Sequence, residues 1–362
     1  MPDFVSNEEI VLAARKNLSQ GAWDYLVGGS ESETTLRRNR LAFDRWGFRP
    51  RILVDVSRID TSTTFLGQNM RIPAMLAPVG SLQTFTPEGG VAAATAATEF
   101  GTQHCVSSVT EPSWEDVAAA GAKFFQLYVQ GDDAWATDAV ARIKAAGYKA
   151  LAITVDTAIY SRRERPMLNR WAPPTRRGPL VNRNFLSELT WRKLDVIKQA
   201  WGDLPLMVKG VATVEDALLC IDHGVQVIWV SNHGGRQLDH GLGSMDVLPE
   251  IVQAVDGRAD VILDGGVQRG SDILKAVAMG AKCVALGRLQ AWGLAAAGKD
   301  GCLRMLELLE NEIISAMGLM GVTSIDQLSN KYVCRAEPVI PPHEMSMWTN
   351  MPTPQGPGGR VL

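Results

Sequence analysis

The sequence predicts a (β/α)8 TIM barrel of mixed α/β class, with an N-terminal helical cap and an extended C-terminal arm. Three observations carry that expectation. Eight short apolar or β-branched runs recur along the 362 residues, segments of helical pattern separate them, and polar, charged or glycine residues follow several runs directly. A parallel strand buried on both faces is written as a continuous apolar run, and a crossover helix must return the chain to begin the next one.

In order, the runs are Ile72 to Ala77, Gln103 to Val106, Phe124 to Val129, Leu151 to Val155, Leu206 to Val208, Val227 to Val230, Val261 to Leu263 and Cys283 to Leu286. Helical segments between them include Gly89 to Phe100, Trp114 to Ala120, Ala134 to Ala146, Val214 to His223 and Ser271 to Met279. The whole chain, 1–362, reads as one domain: a helical cap over 1–65, the barrel over 66–320, and a C-terminal helix and arm over 321–362. From Glu337 the arm is rich in proline and glycine. The spacing is irregular only between the fourth and fifth strands, where Ser161 to Asp203 holds basic, proline-rich and tryptophan-bearing sequence before a helix expected around Trp191 to Ala200. A loop of that length at the C-terminal face of a barrel is a lid or specificity element; a disordered surface insertion is the rival reading.

With 46% hydrophobic and 21% charged residues, the composition is that of an ordinary soluble globular chain. A net charge of -3 gives no electrostatic footprint for nucleic acid, so a small-molecule partner is expected. Residues Met1 to Glu9 lack the basic start and apolar core of a secretory signal, and no uncharged apolar run reaches membrane-spanning length. A cytoplasmic location without membrane association is the expectation. Cys105, Cys220, Cys283, Cys302 and Cys334 are odd in number and scattered, without C-x-x-C spacing, which favours reduced packing thiols over a metal site.

The sixth run opens into Ser231-Asn232-His233-Gly234-Gly235-Arg236-Gln237-Leu238-Asp239, an imidazole and a guanidinium three residues apart on a glycine-opened loop. A lone histidine beside a glycine pair is as often a turn residue as a base, so the other strand ends must decide. Asp264-Gly265-Gly266 follows the seventh strand and Gly287-Arg288 the eighth. Phosphate groups commonly bind between the last two strand ends of such barrels, where glycine lets backbone amides approach and arginine neutralises charge. Lys209, after the fifth strand, is costly to bury without an anion, and a cofactor anion or a rim salt bridge are its two readings.

After the fourth strand come Asp156 and the cluster Arg162-Arg163-Glu164-Arg165. The carboxylate can fix a histidine tautomer and one arginine can reach a substrate carboxylate; the alternative for the arginines is a solvated basic turn. On the third strand, alternation sends Gln126 and Tyr128 to the same side, an amide and a phenol suited to a heteroaromatic ring and a substrate, with plain packing as the alternative for Tyr128.

These residues resemble the FMN-dependent family of L-2-hydroxy acid oxidases and dehydrogenases, which includes glycolate oxidase, lactate oxidase, mandelate dehydrogenase and the flavin domain of flavocytochrome lactate dehydrogenases. The resemblance runs from about Trp23 to Met320, includes Asp24-Tyr25 and Phe48-Arg49-Pro50-Arg51-Ile52-Leu53, and is most specific in the nine residues from Ser231. It implies FMN as cofactor, oxidation of an L-2-hydroxy acid to the 2-oxo acid, transfer of electrons to oxygen or another external acceptor, and a homotetramer by analogy. His233 is then the base and Asp156 its orienting partner. Arg163 and Arg236 bind the substrate carboxylate, with Tyr25 on that carboxylate and Tyr128 by the hydroxyl. Lys209 lies where the flavin gains negative charge on reduction. Pro78, Val79, Gly80, Ser107, Gln126, Thr154 and Ser231 contact the flavin, while Asp264, Gly266, Gly287 and Arg288 hold ribityl and phosphate. Whether His233 takes the hydroxyl proton as a hydride leaves, or the α-proton, stays open.

Three departures from that pattern stand out. Gln268, followed by Arg269, occupies a position where many relatives carry arginine, which implies weaker FMN retention. Val109 replaces a tryptophan of glycolate oxidase and Tyr160 a smaller aliphatic residue, which implies a substrate side chain larger than that of glycolate. The Ser161 to Asp203 loop is shorter than its counterpart in glycolate oxidase and lacks a membrane-inserting apolar stretch, which implies a reduced lid and a more open cleft. Two other readings are a flavin-dependent barrel isomerase and a non-catalytic FMN-binding barrel. The first has no use for paired carboxylate-clamping arginines, and the second leaves costly polar groups without a task.

Overall fold

Alternate residues of a barrel strand face its interior, so a strand carrying a large apolar residue below and a polar one above builds a dry floor and a polar mouth together. The computed structural model, which describes residues 2–174, 184–338 and 347, has this arrangement. Its barrel strands are β1 (Ala74–Leu76), β2 (Cys105–Ser107), β3 (Phe124–Leu127), β4 (Ala150–Thr154), β5 (Leu206–Val211), β6 (Val227–Val230), β7 (Asp260–Asp264) and β8 (Val284–Leu286). All pair in parallel, in the order β1-β8-β7-β6-β5-β4-β3-β2. The ring closes where Leu76 bridges His104 and its amide donates to the Gln103 carbonyl at 2.9 Å.

The lower interior is a separate apolar cluster that includes Met75, Cys105, Phe124, Met207, Trp229, Ile262 and Cys283. A hairpin, Thr63–Phe65 with Gln68–Met70, brings Phe65 and Met70 into that cluster, and Phe65 meets Phe124 edge-on at 5.7 Å. Two residues further along the same strands stand Ser107, Gln126, Thr154, Lys209, Ser231 and Asp264, all buried. The outward-facing residues, among them Phe125, Ile153, Val208 and Leu263, pack under the surrounding helices.

Those helices are Gly89–Phe100, Trp114–Ala119, Asp133–Ala145, Trp191–Trp201, Val214–Asp222, Ser244–Val255 and Gly270–Ala278, followed by Arg288–Met320, which breaks at Ala297 and Gly298. Three begin where Ser113, Asp132 and Thr213 accept a hydrogen bond from the amide three residues on, which satisfies an otherwise orphaned donor. The cap contributes α1 (Asn7–Asn17), α2 (Gln20–Val27) and α3 (Thr34–Asp44). It also supplies the short strand Trp46–Phe48, paired antiparallel with Val333–Arg335.

Gly321, in the left-handed region at φ 69°, ends the long final helix. Beyond it the described residues form two short 3-10 helices, Ile325–Gln327 and Asn330–Tyr332, and the strand that returns to the cap. Most of the proline- and glycine-rich arm lies outside the described residues, as do 175–183 of the loop between β4 and β5. No described helix is long and apolar enough to cross a membrane, and no described group of three or more His, Cys, Asp or Glu residues can hold a metal ion.

Candidate active site

At the C-terminal end of the barrel, a cavity of about 290 Å³ opens between the strand ends and the cap. Of the residues singled out in the sequence, Tyr25, Tyr128, Arg163, Lys209, His233 and Arg236 line it, together with Pro78, Val79, Gly80, Asp264, Gly266, Gly287 and Arg288. Ser107, Gln126, Thr154 and Ser231 are buried at the strand tops, and Asp156 stands behind His233. Tyr25 comes from α2 rather than the barrel, so the cap is one wall of the site.

His233 adopts φ 57°, the left-handed region that a residue with a Cβ seldom occupies, and its amide donates to the Ser231 hydroxyl at 3.0 Å. That turn sets Nδ1 at 2.9 Å from Asp156 Oδ1. Burial alone would raise the Asp156 carboxyl, but His233, Lys209 and Arg163 outweigh it and hold the group below its usual range. Burial, reinforced by Lys209 and Arg163, depresses the His233 imidazolium despite the opposing pull of Asp156. The result is a neutral imidazole beside an ionised carboxylate. Gly210 is required for this approach: at φ 113° it sits where a Cβ would meet the Asp156 Cβ at 2.7 Å.

Beneath the cavity, Lys209 Nζ pairs with Asp264 Oδ2 at 2.9 Å and donates to Ser231 Oγ at 2.8 Å, while Ser231 Oγ donates to Asp264 Oδ1 at 2.6 Å. Burial works against the ammonium, but Asp264 and Asp156 outweigh it and raise the Lys209 pKa, so the lysine stays charged. The salt bridge of Lys209 is thus a buried one with Asp264 rather than one at the rim.

The arginine cluster divides. Arg162 is exposed, Arg165 pairs with Glu33 through Nε at 2.6 Å, and Arg163 turns inward at 7% exposure. Arg163 Nε donates to the Arg236 carbonyl at 3.1 Å, and Nη2 donates to Gln237 Oε1 at 3.1 Å. Arg236 lies over the Tyr25 ring at 4.9 Å and donates through Nη1 to the Tyr25 and Gly28 carbonyls at 2.7 and 2.8 Å. Arg288 reaches the same stretch, donating to the Leu26, Gly28 and Gly234 carbonyls at 3.0–3.2 Å.

A phosphorylated heteroaromatic cofactor fits what these residues offer. Both amide atoms of Gln126 and the hydroxyl of Thr154 are buried without a hydrogen-bond partner, a costly state that a ring with donors and acceptors relieves. At Gly287, a Cβ would meet no atom within 4 Å, so the turn before Arg288 faces open space.

Sequence reasoning passed over two contributors. Arg40 of α3, 1% exposed, pairs with Asp272 at 2.9 Å and donates to the Gly266 carbonyl, reaching the glycine turn from the cap. Its only signal is its place on the buried face of a cap helix. Gln237 was visible inside the nine-residue motif but carried no assigned task.

A sequence model described as FMN-dependent dehydrogenase matches residues 14–335. The chain belongs to that family. L-lactate oxidase of Nostoc sp. is 39% identical over 349 residues, which cover 88% of this chain and 95% of that protein. Glycolate oxidase of Spinacia oleracea is 39% identical over 91% of this chain and 96% of its own length. A crystal structure of mandelate oxidase aligns with a TM-score of 0.85 at 38% identity, covering 93% of this chain and all of that one. The family is one of FMN-dependent 2-hydroxy acid oxidases, and this member is accordingly an FMN enzyme.

Proposed function

We propose that this enzyme oxidises an L-2-hydroxy acid bulkier than glycolate to its 2-oxo acid, with His233 as the base. The observation that carries the reading is the 2.9 Å His233–Asp156 pair lining up with the inward-turned Arg163 on one cavity. A 2-hydroxy acid presents an anion to anchor, and a guanidinium supplies both charge and orientation for it. Arg163 and Arg236 are assigned to the carboxylate, Tyr25 and Tyr128 to the carboxylate and hydroxyl. As C–OH becomes C=O the substrate loses two electrons and two protons, and His233 takes one of those protons. FMN, when bound, supplies the two-electron acceptor, and Lys209 with Ser231, Gln126 and Thr154 would hold its ring. Asp264, Gly266, Gly287 and Arg288 would hold its ribityl phosphate.

The size preference rests on Val109, which lines the cavity with Phe85, Tyr160 and Leu186. A valine at that wall leaves room that a larger side chain would take, and Phe85, Tyr160 and Leu186 offer aromatic or aliphatic surface on the same cavity, which suits an aryl or branched substituent. The acceptor is external, oxygen or a carrier. By analogy with the family we assign a homotetramer, and the four buried thiols support a reducing, cytoplasmic setting.

Anaerobic mixing with a panel of L-2-hydroxy acids, followed by admission of air, tests the proposal. Bleaching of the flavin fastest with an aryl or branched acid is expected. Fastest bleaching with glycolate overturns the size preference, and no bleaching with any member overturns the reaction.

A further inference from the structure

We propose that Gln237 is a positioning residue that locks the carboxylate-binding guanidinium of Arg163 and the base-orienting residue Asp156 into one register. The inference rests on the hydroxy acid reading above and adds a determinant of its geometry.

Gln237 is 6% exposed and uses both ends of its amide. Nε2 donates to the backbone carbonyl of Asp156 at 2.9 Å and to that of Ile159 at 3.1 Å. Oε1 accepts from Arg163 Nη2 at 3.1 Å. Asp156 is thereby held twice by the loop after β6, through its carboxylate by His233 and through its carbonyl by Gln237, four residues later. Arg163 is also held twice by that loop, through the Arg236 carbonyl and the Gln237 side chain. The clamp and the base come from different strand ends, and one side chain spans the gap between them. A hydroxy acid must present its carboxylate to the first while its reacting proton meets the second, so a small shift between them degrades both binding and chemistry.

Substitution at 237 breaks this arrangement. Asparagine is one methylene short. Leucine removes all three hydrogen bonds and leaves a buried guanidinium N–H without its acceptor. Glutamate keeps the acceptor, loses both donors, and places an anion on Arg163 that competes with the substrate carboxylate.

The test uses the FMN-loaded enzyme and its Q237L and Q237E variants. Oxalate binding by calorimetry reports the clamp without turnover. KM and kcat are measured for the best hydroxy acid and for its uncharged methyl ester. Oxalate affinity and acid KM are expected to worsen about tenfold in Q237L and further in Q237E, while ester KM changes less than about twofold. FMN content and melting temperature guard against a damaged fold, and because Q237E adds a charge of its own, Q237N, uncharged and one methylene short, carries the test in place of Q237L if Q237L does not fold. Unchanged oxalate affinity in both variants overturns the assignment, as does an equal loss for acid and ester, which marks Gln237 as merely structural. Wild-type enzyme that binds no oxalate and oxidises no hydroxy acid overturns the functional reading itself.

Discussion

Asp156 Oδ1 lies 2.9 Å from His233 Nδ1, and because the carboxylate is held ionised it can only accept, so Nδ1 carries the proton and Nε2 presents its lone pair. The pair therefore fixes Nε2 as the nitrogen able to accept a proton. Burial, Lys209 and Arg163 lower the imidazole pKa below 6.5, while Asp156 alone pulls it up. The acidic limb of kcat/KM is thus expected below pH 6.5. Asp156→Asn removes the upward pull and the tautomer lock, so the limb should move to lower pH while kcat falls on the order of 10²-fold. A limb that moves upward contradicts the pairing. The sign for stability is the same: a histidine depressed in the fold contributes above its unfolded pKa of 6.5, and that contribution is lost as pH falls below it.

His233→Gln separates the base from the cofactor site. The Lys209–Asp264–Ser231 group beneath the cavity makes its contacts through side chains, and only the His233 backbone amide touches Ser231. Bound FMN is expected at wild-type content, while the rate of anaerobic reduction falls by about 10²- to 10⁴-fold. Reduction at the wild-type rate removes the base assignment.

The barrel was legible because each buried strand is a continuous apolar run, and all eight runs lie on observed strands. The strand-top residues were legible because alternation is strict: Phe124 and Gln126, Met207 and Lys209, Ile262 and Asp264 are each two apart and face the same interior. Partners from the cap were not, apart from Tyr25, which the family resemblance named. Asn232 exchanges amide hydrogen bonds with Asn39 at 2.7 and 2.9 Å, and Arg40 meets Asp272, across separations of about two hundred residues. No local period marks such pairs, since they arise from how α3 lies across the barrel mouth. Arg163 was singled out from its three charged neighbours only through the family resemblance, since its inward turn depends on acceptors supplied by the loop after β6.

Gln268 concerns FMN retention. It is 5% exposed on the cavity wall, and its backbone amide donates to Asp272 at 2.9 Å. The following Arg269 turns away to Glu312 at 3.0 Å, so it does not replace the missing charge. Gln268→Arg should tighten FMN binding by about tenfold, the low end of the roughly 1.5–3 kcal/mol for a hydrogen bond to a charged group, because Arg40 and Arg288 already crowd the turn with positive charge. Titration of apoprotein with FMN by fluorescence quenching measures it. An unchanged dissociation constant removes position 268 from cofactor retention.

Asp239 ends the nine-residue motif, and its task is to hold the cap. The residue preceding α3, Glu33, sits at φ 61° and makes no capping bond; its carboxylate is engaged by Arg165 and by the Gly29 amide. Asp239 caps the helix instead, accepting from the Thr35 amide at 2.7 Å, the Thr34 amide at 3.3 Å and the Ser32 hydroxyl at 2.8 Å. Burial opposes its ionisation, but these bonds outweigh burial and lower the pKa to about 2. A carboxylate depressed in the fold stabilises above its unfolded value of 3.8 and loses that contribution between there and about pH 2. Asp239→Ala should therefore cost about 1–2 kcal/mol at neutral pH, the range for losing a cap. Asp239→Asn keeps one capping oxygen but turns its N–H2 toward the donors that the second carboxylate oxygen accepts from, so it should also cost about 1–2 kcal/mol at neutral pH while flattening the acid side of the stability curve. Because α3 also carries Asn39 and Arg40, loosening its first turn should weaken FMN binding in the alanine variant before the barrel melts. Urea titrations at pH 7 and pH 3.5, paired with FMN affinity, separate these effects, and equal pH dependence in wild type and Asp239→Asn removes Asp239 as the titrating cap.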